Sequence, residues 1–537
     1  MAVYTLLQGL RVTDAIALSL FILLATSLVV KHRSSGLRTT RLNGPTSYSV
    51  IFGAFAELTQ STEPVSLYDK WVREHGTMFS LPMAFGARSI VLSDVKAASH
   101  FLSKDTYTYQ GMPFVKNIFD LLFGRGILSS EEDDHRRLRK ALTPAFSNVA
   151  IKGYLNVLYD SAYKVKTSWE ALLESGDATI EVQKWMNGVA FDNLGIAGFG
   201  YDFGCLNGNR PPAVDVFESF ESPEHSGFIS RALFFLSPVF PLLTHVPTES
   251  NRMLKSMKHS MRAIADELLE RTRKELSLSP DKQAEKSMIG LLIKSERALS
   301  GLTMSSDEVM AQASNTLLIA GYETTSITMT WALIELSRNQ DVQRRLREEL
   351  SQLPDTDLSW EQLNLYLPYM NAVSLETMRL HSPVPHLLRT AVKDDIVPLG
   401  APIRTAAGVT VSELVIAKGT SVYCPIGHIN RSEDIWGPDA AEFKPERWLG
   451  HELPSGARGV QGHHHLLSFG DGPRICIGRN FALTNFKATL SVLIRNFSFE
   501  FPDGPDTPIV STKALLLRPK IESEKSTSVS LKVTRLK

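Results

Sequence analysis

Cys476 sits in Phe469-Gly470-Asp471-Gly472-Pro473-Arg474-Ile475-Cys476-Ile477-Gly478, a stretch whose residue types can hold a metal through sulfur. Gly470, Gly472 and Gly478 lack a Cβ and so allow tight turns and close backbone approach around the thiol. Backbone N–H groups can then point at a thiolate, and Arg474 brings a cation into the same loop. These surroundings suit a thiolate bound to iron, whose electronics are set by burial and by hydrogen bonds to sulfur. The plainer alternative is a buried structural cysteine, the usual fate of an intracellular one.

A second constellation interrupts a helix. Between Asp307 and about Arg338 there is no proline and the only glycine is Gly321. Apolar residues at Met310, Ala313, Leu317, Ala320, Trp331 and Ile334 predict a core helix, started by the capping-box spacing of Ser305 and Glu308. In its middle, Ala320-Gly321-Tyr322-Glu323-Thr324-Thr325 places an acid and two hydroxyls where apolar side chains belong. Buried polar groups are costly unless paired, so these residues call for a functional account. A small pair lets the helix pass close over a flat cofactor. The Thr324 hydroxyl can bond the carbonyl four residues back or hold a ligand at a local widening of the helix, and Glu323 can relay protons.

Glu376 and Arg379 stand three residues apart on one helical face, a weak signal alone. Downstream, Phe443-Lys444-Pro445-Glu446-Arg447-Trp448 sets another arginine beside an aromatic.

Together these stretches resemble the cytochrome P450 family. The cysteine stretch matches its haem-binding signature Phe-x-x-Gly-x-Arg-x-Cys-x-Gly at every fixed position, and residues 320–325 resemble its oxygen-activation segment. The resemblance implies haem b as cofactor, with Cys476 as the axial iron ligand and Phe469 and Gly478 in its cradle. Arg474, Arg389, His135 and Arg139 are then expected to meet the haem propionates. His135 departs from the family's usual tryptophan, and a histidine's contribution would depend on pH. Glu376, Arg379 and Arg447 are expected to form a buried ion cluster that locks the cysteine loop. Thr324 and Glu323 are expected to assist oxygen and proton handling. The implied reaction is monooxygenation: one oxygen atom enters a C–H or C=C bond and the other leaves as water. The implied electron donor is an NADPH-dependent flavoprotein reductase, since the chain carries no nucleotide-binding glycine motif. Of the basic segment His135–Lys140, Arg136, Arg137 and Lys140 are expected to face outward, with Arg479 and Lys487 sharing that surface to steer the donor.

These residues need a large frame. The chain has 537 residues and balances 57 basic against 57 acidic side chains, which gives no sign of a nucleic-acid partner. Three cysteines, Cys205, Cys424 and Cys476, are too few for a disulfide framework. Helical patterns dominate, and strand-like runs occur at Met78–Pro82, Ser89–Leu92, Leu414–Ile416 and Ser421–Tyr423. The expected fold is mainly α with a minor β-sheet, P450-like, behind one N-terminal transmembrane helix.

That helix is placed at residues 12–30, after a short lumenal stretch 1–11. The uncharged run Ala15–Val30, extended through Val12, would span about 24–28 Å as a helix. Lys31, His32, Arg33, Arg38 and Arg41 follow, which points to an uncleaved anchor in the endoplasmic reticulum with the body cytosolic, rather than a signal peptide. Residues 31–63 then form a basic, proline-containing linker, and 64–537 the catalytic domain. The proline-broken apolar run Leu233–Leu243 suits a second bilayer contact. Adjacent His463, His464 and His465 cannot all face one metal on regular structure and read as a surface loop.

The pocket is expected to draw on residues 108–127, Ala320 and residues 384–388, mainly apolar, for a hydrophobic substrate. Similarity to membrane-bound fungal members points to a terpenoid or another secondary metabolite. Two rivals stand beside the oxygenase. One is a haem-thiolate isomerase or dehydratase working without O₂, which has less need of Thr324 and Glu323. The other is a non-catalytic, membrane-anchored haem or lipid binder.

Overall fold

A computed structural model describes residues 39–46, 52–176, 178–211, 320–450, 452–513, 516–524 and 527–536, with 287–292 and scattered positions between 214 and 318. The apolar run at 12–30, most of 233–243 and the start of the long helix at 305–316 lie outside these residues. Among the described residues no helix is long and apolar enough to cross a membrane.

The body is mainly helical, as the sequence predicts. Its larger core includes the long helices Asn148–Glu174, Val182–Phe199, Ala320–Arg338 and Arg479–Asn496. Arg479–Asn496 packs on Asn148–Glu174, and Ala320–Arg338 packs on Val182–Phe199. The last two are buried nearly all round, as expected of helices that cross an interior. Ser147 begins Asn148–Glu174 by accepting from Ala150 N–H at 3.3 Å, and left-handed Gly200 ends Val182–Phe199. A full capping box occurs at Ser359 and Gln362.

A second core lies under a five-stranded sheet, in the order Met78–Pro82, Arg88–Leu92, Ser421–Cys424, Leu387–Ala391, Tyr109–Gly111. Only Arg88–Leu92 and Ser421–Cys424 run parallel. The expected strands at 414–416 and 421–423 fall in different sheets, because Thr410–Ile416 folds back on Asp395–Arg404. Alternation along Leu387–Ala391 turns Leu387 and Arg389 to one side, into the cavity described below. Leu388, between them, packs with the cluster around Tyr68 and Trp71.

Part of the expected linker belongs to the body. Thr40 N–H donates to Val415 O at 2.9 Å and Ser80 N–H to Asn43 O at 2.8 Å. Leu42, Ala54 and Leu58 are buried, the last two on the helix Ala54–Gln60.

Candidate active site

The cysteine loop is held by backbone. Gly470 (φ 69°) and Gly472 (φ 68°) are left-handed, and a Cβ on Gly472 would lie 2.2 Å from Leu102 O. Cys476 N–H closes the loop onto Phe469 O at 2.8 Å. Gly478 differs from expectation: its φ is −84°, and it caps the helix Arg479–Asn496. The Gly478 and Arg479 amides are directed at the Cys476 sulfur. Cys476 keeps exposed surface towards the space above it, yet the protein packed around its sulfur pushes the thiol pKa up; those amides, with the guanidinium groups of Arg139 and Arg479, oppose it.

Sulfur opens onto a cavity of about 360 Å³. Leu194, Leu317, Val384, Leu387, Phe481 and Phe486 give it apolar walls. Of the residues expected to line it, Ile127, Ala320, Val384 and Leu387 do so; among the described residues 108–112, 124–126, Pro385, His386 and Leu388 do not.

The helix Ala320–Arg338 contributes Ala320, Gly321, Thr324 and Thr328 to the wall. A Cβ on Gly321 would meet Leu194 at 3.1 Å, so glycine lets the neighbouring helix approach. The Thr324 hydroxyl donates to Ala320 O at 2.6 Å, and Leu317 and Leu318 just before have π-helical backbone. Glu323 is placed otherwise than the sequence predicts. One helical step turns its carboxylate away from the cavity, where Oε1 accepts from Arg518 Nε at 3.0 Å and from Leu516 N–H at 3.2 Å. Both Glu323 and Arg518 are buried. In this arrangement Glu323 is a structural ion-pair member rather than a cavity acid.

All four expected propionate partners line the cavity: His135, Arg139, Arg389 and Arg474. The helix Glu132–Leu142 turns His135 and Arg139, one turn apart, to the same side and leaves Arg136 and Lys140 exposed. Burial, then the charges of Arg474 and Arg139, push the His135 pKa down to about 4. Lys487 does not join the outer basic surface. It is 2% exposed, donates to Asn371 Oδ1 at 3.0 Å and Asn364 Oδ1 at 3.2 Å, and burial lowers its pKa to about 8.

The three-charge cluster is assembled. Glu376 accepts twice from Arg379, at 2.8 and 2.9 Å, and lies 3.5 Å from Arg447 Nε. Trp448 Nε1 and Lys444 N–H also donate to it, at 2.9 and 3.0 Å. Arg379 further donates to the carbonyls of Ala440, Asn430 and Glu442. The link to the cysteine loop is Asn430, which sequence reasoning missed: its side chain accepts from Leu467 N–H at 3.1 Å and donates to Ser468 Oγ at 2.9 Å, next to Phe469. No motif marks Asn430, because its role arises only when three distant segments meet.

His463 to Leu466 form a tight turn with His464 and His465 at positive φ, and His463 packs edge-on against Phe469 at 6.0 Å. Among the described residues no group of three or more His, Cys, Asp or Glu side chains is placed to hold a metal ion.

The residues present fit iron protoporphyrin. Cys476 brings a thiol to an apolar cavity, cations gather on its wall, and the buried Arg474 Nε makes no hydrogen bond. The cytochrome P450 family model matches residues 43–523. The chain belongs to the cytochrome P450 family. It is 47% identical over 528 residues to the cytochrome P450 monooxygenase claQ of Ampulloclitocybe clavipes, covering 97% of this chain and 98% of the relative. It is 46% identical to claP of the same fungus, again over 97% and 98%. A ganoderic acid synthetase of Ganoderma lucidum is 31% identical over 80% of this chain and 83% of that protein. This P450 is a monooxygenase, which implies a haem-thiolate cofactor, a redox partner and a small-molecule substrate.

Proposed function

We propose that this P450 oxidises a hydrophobic terpenoid or related secondary metabolite while anchored in the endoplasmic reticulum membrane, taking electrons from an NADPH-dependent reductase. The observation that carries this reading is the apolar cavity over Cys476, with the Thr324 hydroxyl on its wall. Kinship to a protein named for ganoderic acid supports the substrate class.

Haem b held by the Cys476 thiolate supplies reductive O₂ activation and oxygen-atom transfer. Other tasks belong to the chain. Amides of Gly478 and Arg479, with Arg139, stabilise negative charge on sulfur. Arg139, Arg389, Arg474 and neutral His135, all on the cavity wall, would hold the propionates. Thr324 Oγ1 can leave Ala320 O to hold a proton or a water at the cavity wall. Leu194, Leu317, Val384 and Leu387 exclude bulk water and orient an apolar substrate. Exposed Arg136 and Lys140 offer positive charge to an acidic donor.

The uncharged run 15–30 with basic residues behind it supports the anchor and its orientation. The test is expression in microsomes with a reductase and a screen of terpenoids and fatty acids. NADPH-dependent addition of one oxygen to a terpenoid is expected. Product formed without NADPH would favour the isomerase, and fatty acids alone as substrates would overturn the substrate class.

A further inference from the structure

A buried carboxylate, Asp105, sits among the cations of the cofactor seat. Asp105, 1% exposed, lines the cavity and bonds Arg389 in a fork, Nε to Oδ1 at 2.9 Å and Nη2 to Oδ2 at 3.1 Å. Its Oδ1 is also 3.6 Å from Arg474 Nε. The next residue, Thr106, is fully buried and has φ 72°, a left-handed conformation that a β-branched side chain rarely adopts. That conformation is fixed from several sides. Thr106 N–H donates to Tyr109 O at 2.6 Å and to Asp105 Oδ1 at 2.9 Å. Its hydroxyl donates to Glu131 Oε2 at 2.8 Å and accepts from Glu132 N–H at 2.7 Å and Arg474 Nη2 at 3.3 Å. Glu131 itself bonds Arg474 Nη2 and Gly111 N–H.

We propose that Asp105, aimed by strained Thr106, is a positioning residue for the haem seat: it holds Arg389 and Arg474 as a preformed pair for the propionates. The inference rests on the haem reading of the cavity. A guanidinium has five N–H donors in a rigid plane. Asp105 takes two from Arg389 and Leu388 O takes one at 3.0 Å, which leaves two for a propionate. Arg474 is held through Nη1 by Ile127 O and through Nη2 by Ser130 O and Glu131, with Nε making no hydrogen bond. Strain of this kind persists only where the surroundings over-determine it. Two like-charged guanidinium groups beside one cavity would repel without a carboxylate between them. Asp105 therefore preorganises the seat, and its charge also acts on the haem from outside the propionates.

The test uses full-length holoprotein and two readouts other than turnover. Haem transfer to excess apomyoglobin is timed for the wild type, Asp105→Asn, Asp105→Glu and Thr106→Gly, and the ferric/ferrous midpoint potential is measured for each. Asp105→Asn should lose haem about tenfold faster or more, the lower range of effect when a group that orients a cofactor's own partner is removed. Its potential should rise, because removing an anion favours the reduced, less positive iron. Asp105→Glu should restore the potential towards wild type. Thr106→Gly, which keeps the carboxylate and frees its aim, should speed haem loss with little change in potential. Wild-type transfer rate and potential in Asp105→Asn would overturn the proposal. If Asp105→Asn gives no holoprotein, Thr106→Gly decides: transfer at the wild-type rate overturns it. Wild type lacking a thiolate-haem spectrum would instead sink the cofactor reading on which it rests.

Discussion

Thr324 and Glu323 are neighbours on one helix with opposite surroundings: the threonine hydroxyl lies on the cavity wall, and the glutamate carboxylate lies 3.0 Å from Arg518 Nε inside the protein. The pair expected to act together on oxygen is therefore divided between chemistry and structure. Thr324→Ala removes a hydroxyl that, among the described residues, donates to a carbonyl of its own helix, so stability should change little. Product per NADPH should fall by about 10²-fold, the lower range for acid–base assistance, while NADPH oxidation continues. Glu323→Gln should do the reverse, lowering stability by about 3–5 kcal/mol because it breaks the buried ion pair with Arg518. Thermal melts and NADPH-to-product ratios of the two variants check both halves.

The ion cluster makes a prediction of loss rather than altered chemistry. Glu376 is fully buried and serves Arg379, Arg447, Trp448 and Lys444 at once. Glu376→Gln should cost about 3–5 kcal/mol, the usual penalty for breaking a buried pair. Asn430→Ala should loosen the same loop by removing the link to Leu467 and Ser468. Each should lower the fraction of protein that binds haem, read from the Soret absorbance per chain, without changing the product made by the remainder.

Lys487 gives a pH signature. Its pKa is about 8 in the fold against 10.5 for a free lysine. Between those values the unfolded chain holds a proton that the folded chain has released, so this group makes stability rise with pH across that window. Below pH 8 the folded protein carries the buried charge at a cost of about 3 kcal/mol. Lys487→Gln should remove the slope: from pH 8 to 10.5 the wild type should gain about 3 kcal/mol of stability relative to the variant. A constant difference across the window would refute the burial account.

Legibility in the sequence followed the range of the interactions. Cys476, Glu376–Arg379 and Thr324 sit in short motifs whose geometry is local, and the fold brings them together at the expected cavity and cluster. Arg389 follows from the family resemblance, and the strand Leu387–Ala391, paired with Ser421–Cys424, turns it to the cavity. Glu323 and Lys487 were misplaced because helix rotation, and not residue type, decides which side faces the cavity or the surface. Asp105, Thr106, Asn430 and Arg518 were missed for one reason. Each gains meaning only from partners far along the chain, and none carries a spacing that marks it.

The most direct test of the account is the reduced-CO difference spectrum of wild type and Cys476→Ala. Thiolate-bound haem in the wild type should absorb at about 450 nm. The variant should lose that band together with NADPH-dependent oxidation. A variant that keeps both would contradict the assignment of Cys476 as the iron ligand, and with it the chemistry built on this cavity.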